Sequence, residues 1–355
     1  MGDAVGHDVA GMYQALRDRG VETRIVAGAW ARGVSLPVEP ADRYGAYAAR
    51  PDVLSIYHHS TSWELLPQFL EARGPKVVRY HNVTPPGFFA RYSPQLARET
   101  RLGRGQTEMI VRSGRVALFL AASAYSAREL VALGAPSASC RALAPFHTLA
   151  DLLQVPASVP LLERYLDGTY NVLFVGRVTP NKGHRHLIGV AEAFRRLFAR
   201  PIRLFVVGDL DPRFRAYHEE LYALVRALGL EDTIVWTRKA GPESLKTYFL
   251  LAHAFLVMSE HEGFCVPIVE AMAHGTPVVA YASCAVSDTV GDAGVLIHGL
   301  DYGHYAAALE LIFTRAQVRD AVIARQRRWV AHHFAAPVLA TRFWDAIHPV
   351  LEARP

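Results

Sequence analysis

Apolar residues fall along the chain in two alternating patterns. Short continuous runs rich in Val, Ile, Leu and Phe read as strands buried on both faces. Longer stretches with apolar residues three or four apart read as amphipathic helices. Strict alternation of the two predicts parallel sheets covered by helices on both sides. In the first half the pattern predicts a helix over Val5–Gly20, then a strand at Thr23–Ala27 and another at Val53–Tyr57. A helix over Trp63–Ala72, a strand at Lys76–Tyr80 and a long helix over Gln95–Arg112 follow. Val116–Ala121 reads as a strand, Ala124–Leu133 as a helix and Cys140–Leu143 as a last short strand.

The segment Ala144–Pro160 carries three prolines and no period, which predicts an interdomain linker. Beyond it the alternation restarts. Strands are expected at Asn171–Val175, Ile202–Val207, Thr233–Trp236, Ala254–Met258 and Pro277–Ala280. Helices are expected near His184–Phe198, Arg213–Leu228, Pro242–Ala252 and Val266–His274, and the chain from Tyr302 onward is mostly helical. The organisation expected is an N-terminal α/β domain over 1–150 and a second over 151–335. A terminal helix over 336–355 is expected to pack back on the first domain.

The first helix begins almost at Met1, after a loop GDAVG. In a doubly wound sheet such a loop follows a central first strand. On sequence grounds that strand is missing from the N-terminal domain, and its loss would leave two unpaired edges. A start upstream of Met1 is therefore expected.

Composition narrows the chemistry. The 355 residues are 51% hydrophobic and 20% charged, a globular balance. No apolar stretch reaches the ~18 residues of a membrane span, and the N-terminus lacks the basic and apolar regions of a secretory signal. Three scattered cysteines form no CxxC pair, so a reducing cytoplasm is expected. Sixteen histidines invite a metal, but the pairs His58-His59 and His332-His333 are adjacent and lack the spacing that puts two ligands on one helix face, so no metal site is expected. The net charge is +5, with arginines concentrated between Arg73 and Arg115. They form either a solvated helix face or a patch for an anionic membrane surface on its cytoplasmic side. No nucleic-acid motif accompanies them.

The stretch most informative about chemistry is SEHEGFCVPIVEAMAHGTPVVA, Ser259 to Ala280. An apolar strand runs into a polar, glycine-containing loop and then into a helix, the place where open α/β sheets bind ligands. Glu262 and Glu270 would lie about 12 Å apart along a helix axis at about 1.5 Å per residue. That exceeds the roughly 5–9.5 Å of a glycosidase carboxylate pair and suits two ends of one long ligand. Between them the amides of Gly263, Phe264 and Cys265 approach a helix start, where an anion is favoured. Glu270 is either a solvated helix acid or, given the apolar Ile268, Val269, Ala271 and Met272, a carboxylate that needs a partner. A second stretch, FVGRVTPNKGHRHLI, puts Arg177 and Lys182 on one strand-to-helix loop beside Gly176. They are either solvated cations or a complement for a diphosphate. GxxxxGK[ST] is absent.

These two stretches resemble the retaining glycosyltransferases of family 4, the glycosyl transferases of group 1. The resemblance is carried by Gly176-Arg177 with Lys182-Gly183, and by the E-x7-E pair Glu262 and Glu270 in HEGFCVPIVEAMAHGTPVVA. It implies the GT-B fold, two facing Rossmann-like doubly wound domains. It also implies that Arg177 and Lys182 bind the donor diphosphate, that Glu270 holds the ribose, and that Glu262 contacts the transferred sugar with the amides of Gly263, Phe264 and Cys265. RYHNVTPPGFF is similar to the loop bearing the family's donor-site histidine, here His81. GDAVG resembles its glycine-rich diphosphate loop, with Gly2 and Gly6, and Ser123 and Ser126 fall at a similar turn. Lys239 falls on the nucleobase side. The sequence departs from the family at Cys284, Ser287 and Asp288, where glycine, proline and glutamate are frequent.

The expected activity is transfer of a hexose from a UDP- or GDP-sugar to a glycan, lipid-linked or small-molecule hydroxyl. Configuration is expected to be retained, with no metal ion and no cofactor, the nucleotide sugar being a co-substrate. The alternatives are a sugar-nucleotide epimerase and a non-catalytic nucleotide-sugar-binding partner protein. A nicotinamide-dependent dehydrogenase is the weakest rival, because GxGxxG is absent.

Overall fold

The computed structural model describes residues 4–30 and 36–353. The chain forms two compact units. The first comprises residues 1–86, 95–148 and 333–355, and the second residues 87–94 and 149–332. Among the described residues all strand pairings are parallel, as the alternating pattern predicts.

In the first unit a helix spans Ala4–Arg17, followed by strands β1 (Ile25–Ala27) and β2 (Val38–Pro40). These two pair only with each other among the described residues. A separate sheet has the order β3 (Ser55–His59), β4 (Lys76–Tyr80), β5 (Leu118–Ala121) and β6 (Cys140–Ala142). No strand precedes the first helix among the described residues, and β3 pairs on one side only. Hydrophobic residues cover both faces of the four-stranded sheet. On one side Tyr57, Val78, Tyr80, Phe119 and Ala121 pack with Leu66, Phe69 and Ile110. The other side joins Val77, Leu118 and Leu120 to Met12 and Leu16 of the first helix and to Leu339, Phe343 and Ile347 of the terminal helix Ala336–Glu352. The terminal segment, His333 onward, thus belongs to this unit by its packing.

The second unit holds a six-stranded sheet. Its strands are β7 (Tyr170–Val175), β8 (Ile202–Val207), β9 (Ile234–Arg238), β10 (Ala254–Val257), β11 (Val278–Tyr281) and β12 (Val295–Ile297), in the order β12-β11-β10-β7-β8-β9. The order reverses at β7 and β10, which makes their carboxyl ends the switch point where open sheets bind ligands. All of β10 is buried, as its unbroken apolar run requires.

Differences from the sequence expectation are local. Residues 144–160 are not a bare linker: they contain the helix Leu149–Gln154 and the start of the helix Val159–Tyr165. Leu149 and Leu152 are buried, so this short apolar segment gains a helix by packing, not by period. Strands β2 and β12, at three residues each, were too short for periodicity to register.

Candidate functional site

In the second unit the two sequence-predicted loops lie together at the switch point. After β7 the chain passes through the buried Thr179 and Asn181 into a single 3-10 turn, Pro180–Lys182. Gly183 then takes φ 68 before the helix His184–Phe198. A Cβ at Gly183 would stand 1.9 Å from the Met258 carbonyl oxygen, so only glycine lets this turn approach the end of β10.

Asn181 joins the loops. Its side-chain amide donates to the His261 carbonyl at 3.1 Å and its Oδ1 accepts from Thr179 Oγ1 at 2.9 Å. Its own carbonyl accepts from the amides of Glu260 (2.9 Å) and His261 (3.3 Å). Lys182 Nζ then donates to both oxygens of Glu262, at 2.6 and 2.7 Å. Glu262 is buried and Lys182 half-buried, so the pair is a charge-assisted contact shielded from bulk water.

Beyond Glu262 the backbone turns sharply. Cys265 takes φ 84, a left-handed conformation rare outside glycine, and leads into the helix Val266–Ala273. The amides of Gly263 and Cys265 have no hydrogen-bond acceptor among the described residues. Burial, with Glu262 nearby, holds the Cys265 thiol well above its ordinary pKa, so it stays protonated. The helix Cys284–Val290 backs the loop. Ser283 Oγ donates to the Ser259 carbonyl, Cys284 Sγ to that of Glu260 at 3.3 Å, and Thr289 Oγ1 to that of Phe264. Cys284 stands at φ 43, a conformation that glycine adopts more easily.

Glu270 lies one turn into the helix, half-buried, and its carboxylate has no hydrogen-bond or ion-pair partner among the described residues. Burial raises its pKa from 4.5 to about 7. Of the two sequence readings, the structure favours a carboxylate lacking a partner over a solvated acid. Arg177 is exposed, and its charge contributes to holding Asp211 below the usual carboxylate range, after the Arg213 hydrogen bond. Lys239 is exposed just beyond β9, after Arg238, which has φ 59.

In the first unit, His81 belongs to a buried polar cluster. Its Nε2 lies 3.0 Å from Nδ1 of His58, and the rings stack at 5.3 Å. Asp8 Oδ2 is 3.6 Å from His81 and 3.9 Å from His58. Arg79 Nε donates to that same oxygen at 2.6 Å, and the Phe146 amide donates to Oδ1 at 2.8 Å. Arg79 also donates to the carbonyls of Leu143 and Leu120, so a fully buried guanidinium is satisfied. Burial opposes ionisation of Asp8, but Arg79, by its charge and its hydrogen bond, holds the carboxyl below the usual range. Burial also depresses both histidines, His58 to about 4 and His81 well below its ordinary value, so both are neutral at pH 7.

Sequence spacing around His58-His59 missed this grouping, because β3 and β4 bring His58 to His81 and not to His59. The ligand atoms of Asp8, His58 and His81 all lie within 4.8 Å of one another. Arg79 already occupies the Asp8 oxygen that would face a cation and repels positive charge there. The cluster therefore suits a compensated ion pair holding two neutral imidazoles.

The other expectations in this unit divide. Ser123 caps the helix Ala124–Ala132, its Oγ accepting from the Ser126 amide at 3.1 Å. Asn82, at φ 72, ties the His81 loop to that turn by donating to Ser126 Oγ and to Glu129. Gly6 is not in a loop: it is buried inside the helix Ala4–Arg17, with Asp8, Met12, Ala15 and Leu16. Gly2 lies outside the described residues. The basic segment is not one face either. Arg79 pairs with Asp8, Arg91 with Glu220, Arg104 with Glu129 and Arg112 with Glu108. No helix among the described residues is long and apolar enough to cross a membrane.

Comparison with known proteins locates the resemblance. Residues 166–329 match the family of glycosyl transferases group 1. A D-inositol 3-phosphate glycosyltransferase of Rhodococcus erythropolis is 32% identical over 171 residues, 47% of this chain and 38% of the relative. A 2-deoxystreptamine N-acetyl-D-glucosaminyltransferase of Streptomyces fradiae is 28% identical over 260 residues, 68% of this chain and 57% of the relative. The matches thus span well under two thirds of the curated relatives. Among solved structures, Anabaena HepE in complex with UDP and glucose superposes with a TM-score of 0.77 at 18% identity, covering 98% of this chain and 96% of that one. A sucrose-phosphate synthase from Thermosynechococcus elongatus gives 0.69 at 19% identity, covering 88% and 76%. These likenesses show the fold, the α/β arrangement of two Rossmann-like units expected of GT-B.

Proposed function

We propose, from the match of residues 166–329 to the group 1 glycosyl transferases, that this chain moves a hexosyl group from a nucleotide-sugar donor to a hydroxyl acceptor. The donor is a UDP- or GDP-sugar and the acceptor a glycan, lipid-linked or small-molecule alcohol. Anomeric configuration is retained and no metal ion is required. One observation carries the reading. The Lys182–Glu262 pair, stitched in place by Asn181, stands next to two amides without acceptors and on the same loop and helix as the unpartnered Glu270.

Each group then has work that a nucleotide sugar supplies. An ammonium has three donors, and Glu262 occupies Lys182 with both its oxygens while leaving donor capacity for a phosphate. Arg177 adds a second cation. The diphosphate gains charge as the glycosidic bond breaks, and cations with a helix start lower the energy of that charge. Glu270 accepts from ribose hydroxyls. Glu262, fixed by Lys182, accepts from the hexose, and the Gly263 and Cys265 amides donate to it. In the first unit His81, held neutral, offers a hydrogen bond to the sugar. Lys239 lies toward the base.

The relatives, a D-inositol 3-phosphate glycosyltransferase and a 2-deoxystreptamine N-acetyl-D-glucosaminyltransferase, favour a cyclitol or sugar acceptor over a membrane lipid. So does the pairing of four of the basic-segment arginines. Transfer assayed in EDTA with the product anomer read by proton NMR tests the proposal. An inverted anomer refutes retention, and turnover restored only by added Mg²⁺ refutes metal independence.

A further inference from the structure

The second unit contains a cavity of about 190 Å³ that none of the donor roles uses. One wall is the Pro180–Gly183 turn that carries Lys182, and another is Glu260, two residues before Glu262. The remaining wall comes from residues 87–94, which pack on this unit through Phe89 against Phe214 (5.5 Å between rings) and Tyr92 against Tyr217 (5.2 Å). Phe88 lies over His261 at 6.1 Å.

The lining is built to hold something polar beside aromatic rings. His186 Nδ1 is 2.9 Å from the Tyr302 hydroxyl and its Nε2 is 3.4 Å from Glu260 Oε1. An imidazole that accepts from Tyr302 at Nδ1 presents its Nε2–H to Glu260, so the carboxylate is aimed by a chain of two residues. Arg185 is held on the opposite side by Glu220 and by the Tyr92 hydroxyl at 3.2 Å. Arg91 and Tyr92 also bond Glu220, at 2.6 and 2.8 Å, which fixes the aromatic wall.

Charge selects the ligand class. Arg185 is countered by Glu220, and Glu260 offers acceptor oxygens, so the cavity has no net positive charge to select an anion. The aromatic faces of Phe88, Tyr92 and Tyr217 cover apolar surface, while Glu260 and Arg185 meet hydroxyls from the edge. The volume lies below the about 300–1,000 Å³ of drug-sized pockets and suits a single ring. Resting on the transferase reading, we propose that this cavity binds one neutral, polyhydroxylated six-membered ring of the acceptor. It shares the Pro180–Gly183 turn and the loop after β10 with the proposed donor site.

Saturation-transfer NMR on the full chain with myo-inositol and with glucose, in the absence of nucleotide, tests this, with UDP and GDP affinity measured in parallel by calorimetry. Both Glu260→Gln and Phe88→Ala alter half-buried or exposed side chains and leave the core intact. Ring binding is expected in the parent and about tenfold weaker or more in each variant, with UDP affinity within about twofold. No ring binding by protein that binds UDP normally overturns the proposal, as does ring binding that neither variant weakens. Variant-sensitive ring binding by protein that binds neither UDP nor GDP supports the cavity and overturns the donor reading instead.

Discussion

Glu270→Gln separates stability from function at the donor site. Burial lifts the Glu270 carboxyl from 4.5 to about 7. The folded protein therefore holds a proton between pH 4.5 and about 7 that the unfolded chain releases. The free protein loses stability as pH rises through that window, with the full cost present above about pH 7. A rise from 4.5 to about 7 corresponds to about 3 kcal/mol at about 1.4 kcal/mol per pH unit. A glutamine removes this charge cost but brings amide donors that want partners, which leaves a net gain of about 1–2 kcal/mol. In a unit of this size each kcal/mol moves the Tm by about 2–4 °C, so the variant should melt about 2–8 °C higher at pH 8. The advantage should disappear toward pH 4.5, where the folded carboxyl is protonated and the unfolded one about half protonated, leaving only the cost of the amide itself. UDP affinity should fall about tenfold or more, because hydrogen bonds to a charged acceptor are lost. In the wild type, hydroxyl donors favour the carboxylate, so UDP binding near pH 7 should release a proton. Differential scanning fluorimetry from pH 4.5 to 8 and calorimetry in two buffers of different ionisation enthalpy read all three effects. A glutamine variant less stable than wild type at pH 8, or one with undiminished UDP affinity, refutes the reasoning.

Lys182→Ala leaves the buried Glu262 without its cation. Because Lys182 is half-buried, the cost should be about 2–3 kcal/mol, below the about 3–5 of a fully buried pair. Urea unfolding measures that, and sugar transfer should be lost altogether. Gly183→Ala puts a Cβ against the Met258 carbonyl in a left-handed turn, so it should cost at least about 2 kcal/mol and abolish UDP binding by calorimetry. Asp8→Asn removes the charge that compensates Arg79 and should destabilise the first unit by about 3–5 kcal/mol in urea. The Asp8 carboxyl is depressed, so its contribution is present above pH 3.8 and is lost as pH falls through its folded value; the Asn variant should therefore lose most of this part of the acid sensitivity seen in wild-type melts.

The parts of this molecule legible in the sequence are those fixed by local pattern. The unbroken run of β10, the helix starts after Gly183 and Cys265, and the spacing of Glu262 from Glu270 all follow from residues within one strand-loop-helix unit. What stayed hidden depends on partners far apart in sequence. Asp8 and Arg79 are 71 positions apart, and no window contains both, so neither their pairing nor the company His58 keeps with His81 could be read. Lys182 and Glu262 are 80 positions apart. Their contact was not read either, although each sat in a loop recognisable by itself. Asn181 shows the middle case. A polar residue before Lys-Gly signals a turn, but its burial, and therefore its role as the bolt between two loops, exists only after β7 and β10 become neighbours. The same reasoning explains why the cavity beside Glu260 left no motif. Its aromatic wall is contributed by residues 87–94, its carboxylate by the loop after β10, and its cation by the helix after Gly183. Each is unremarkable in its own segment, since an exposed Arg, a surface Glu and a Phe-Phe pair in a loop are ordinary. Only their convergence carries chemistry, which is why a donor site built on two loops is legible early and an acceptor pocket assembled from three segments is not.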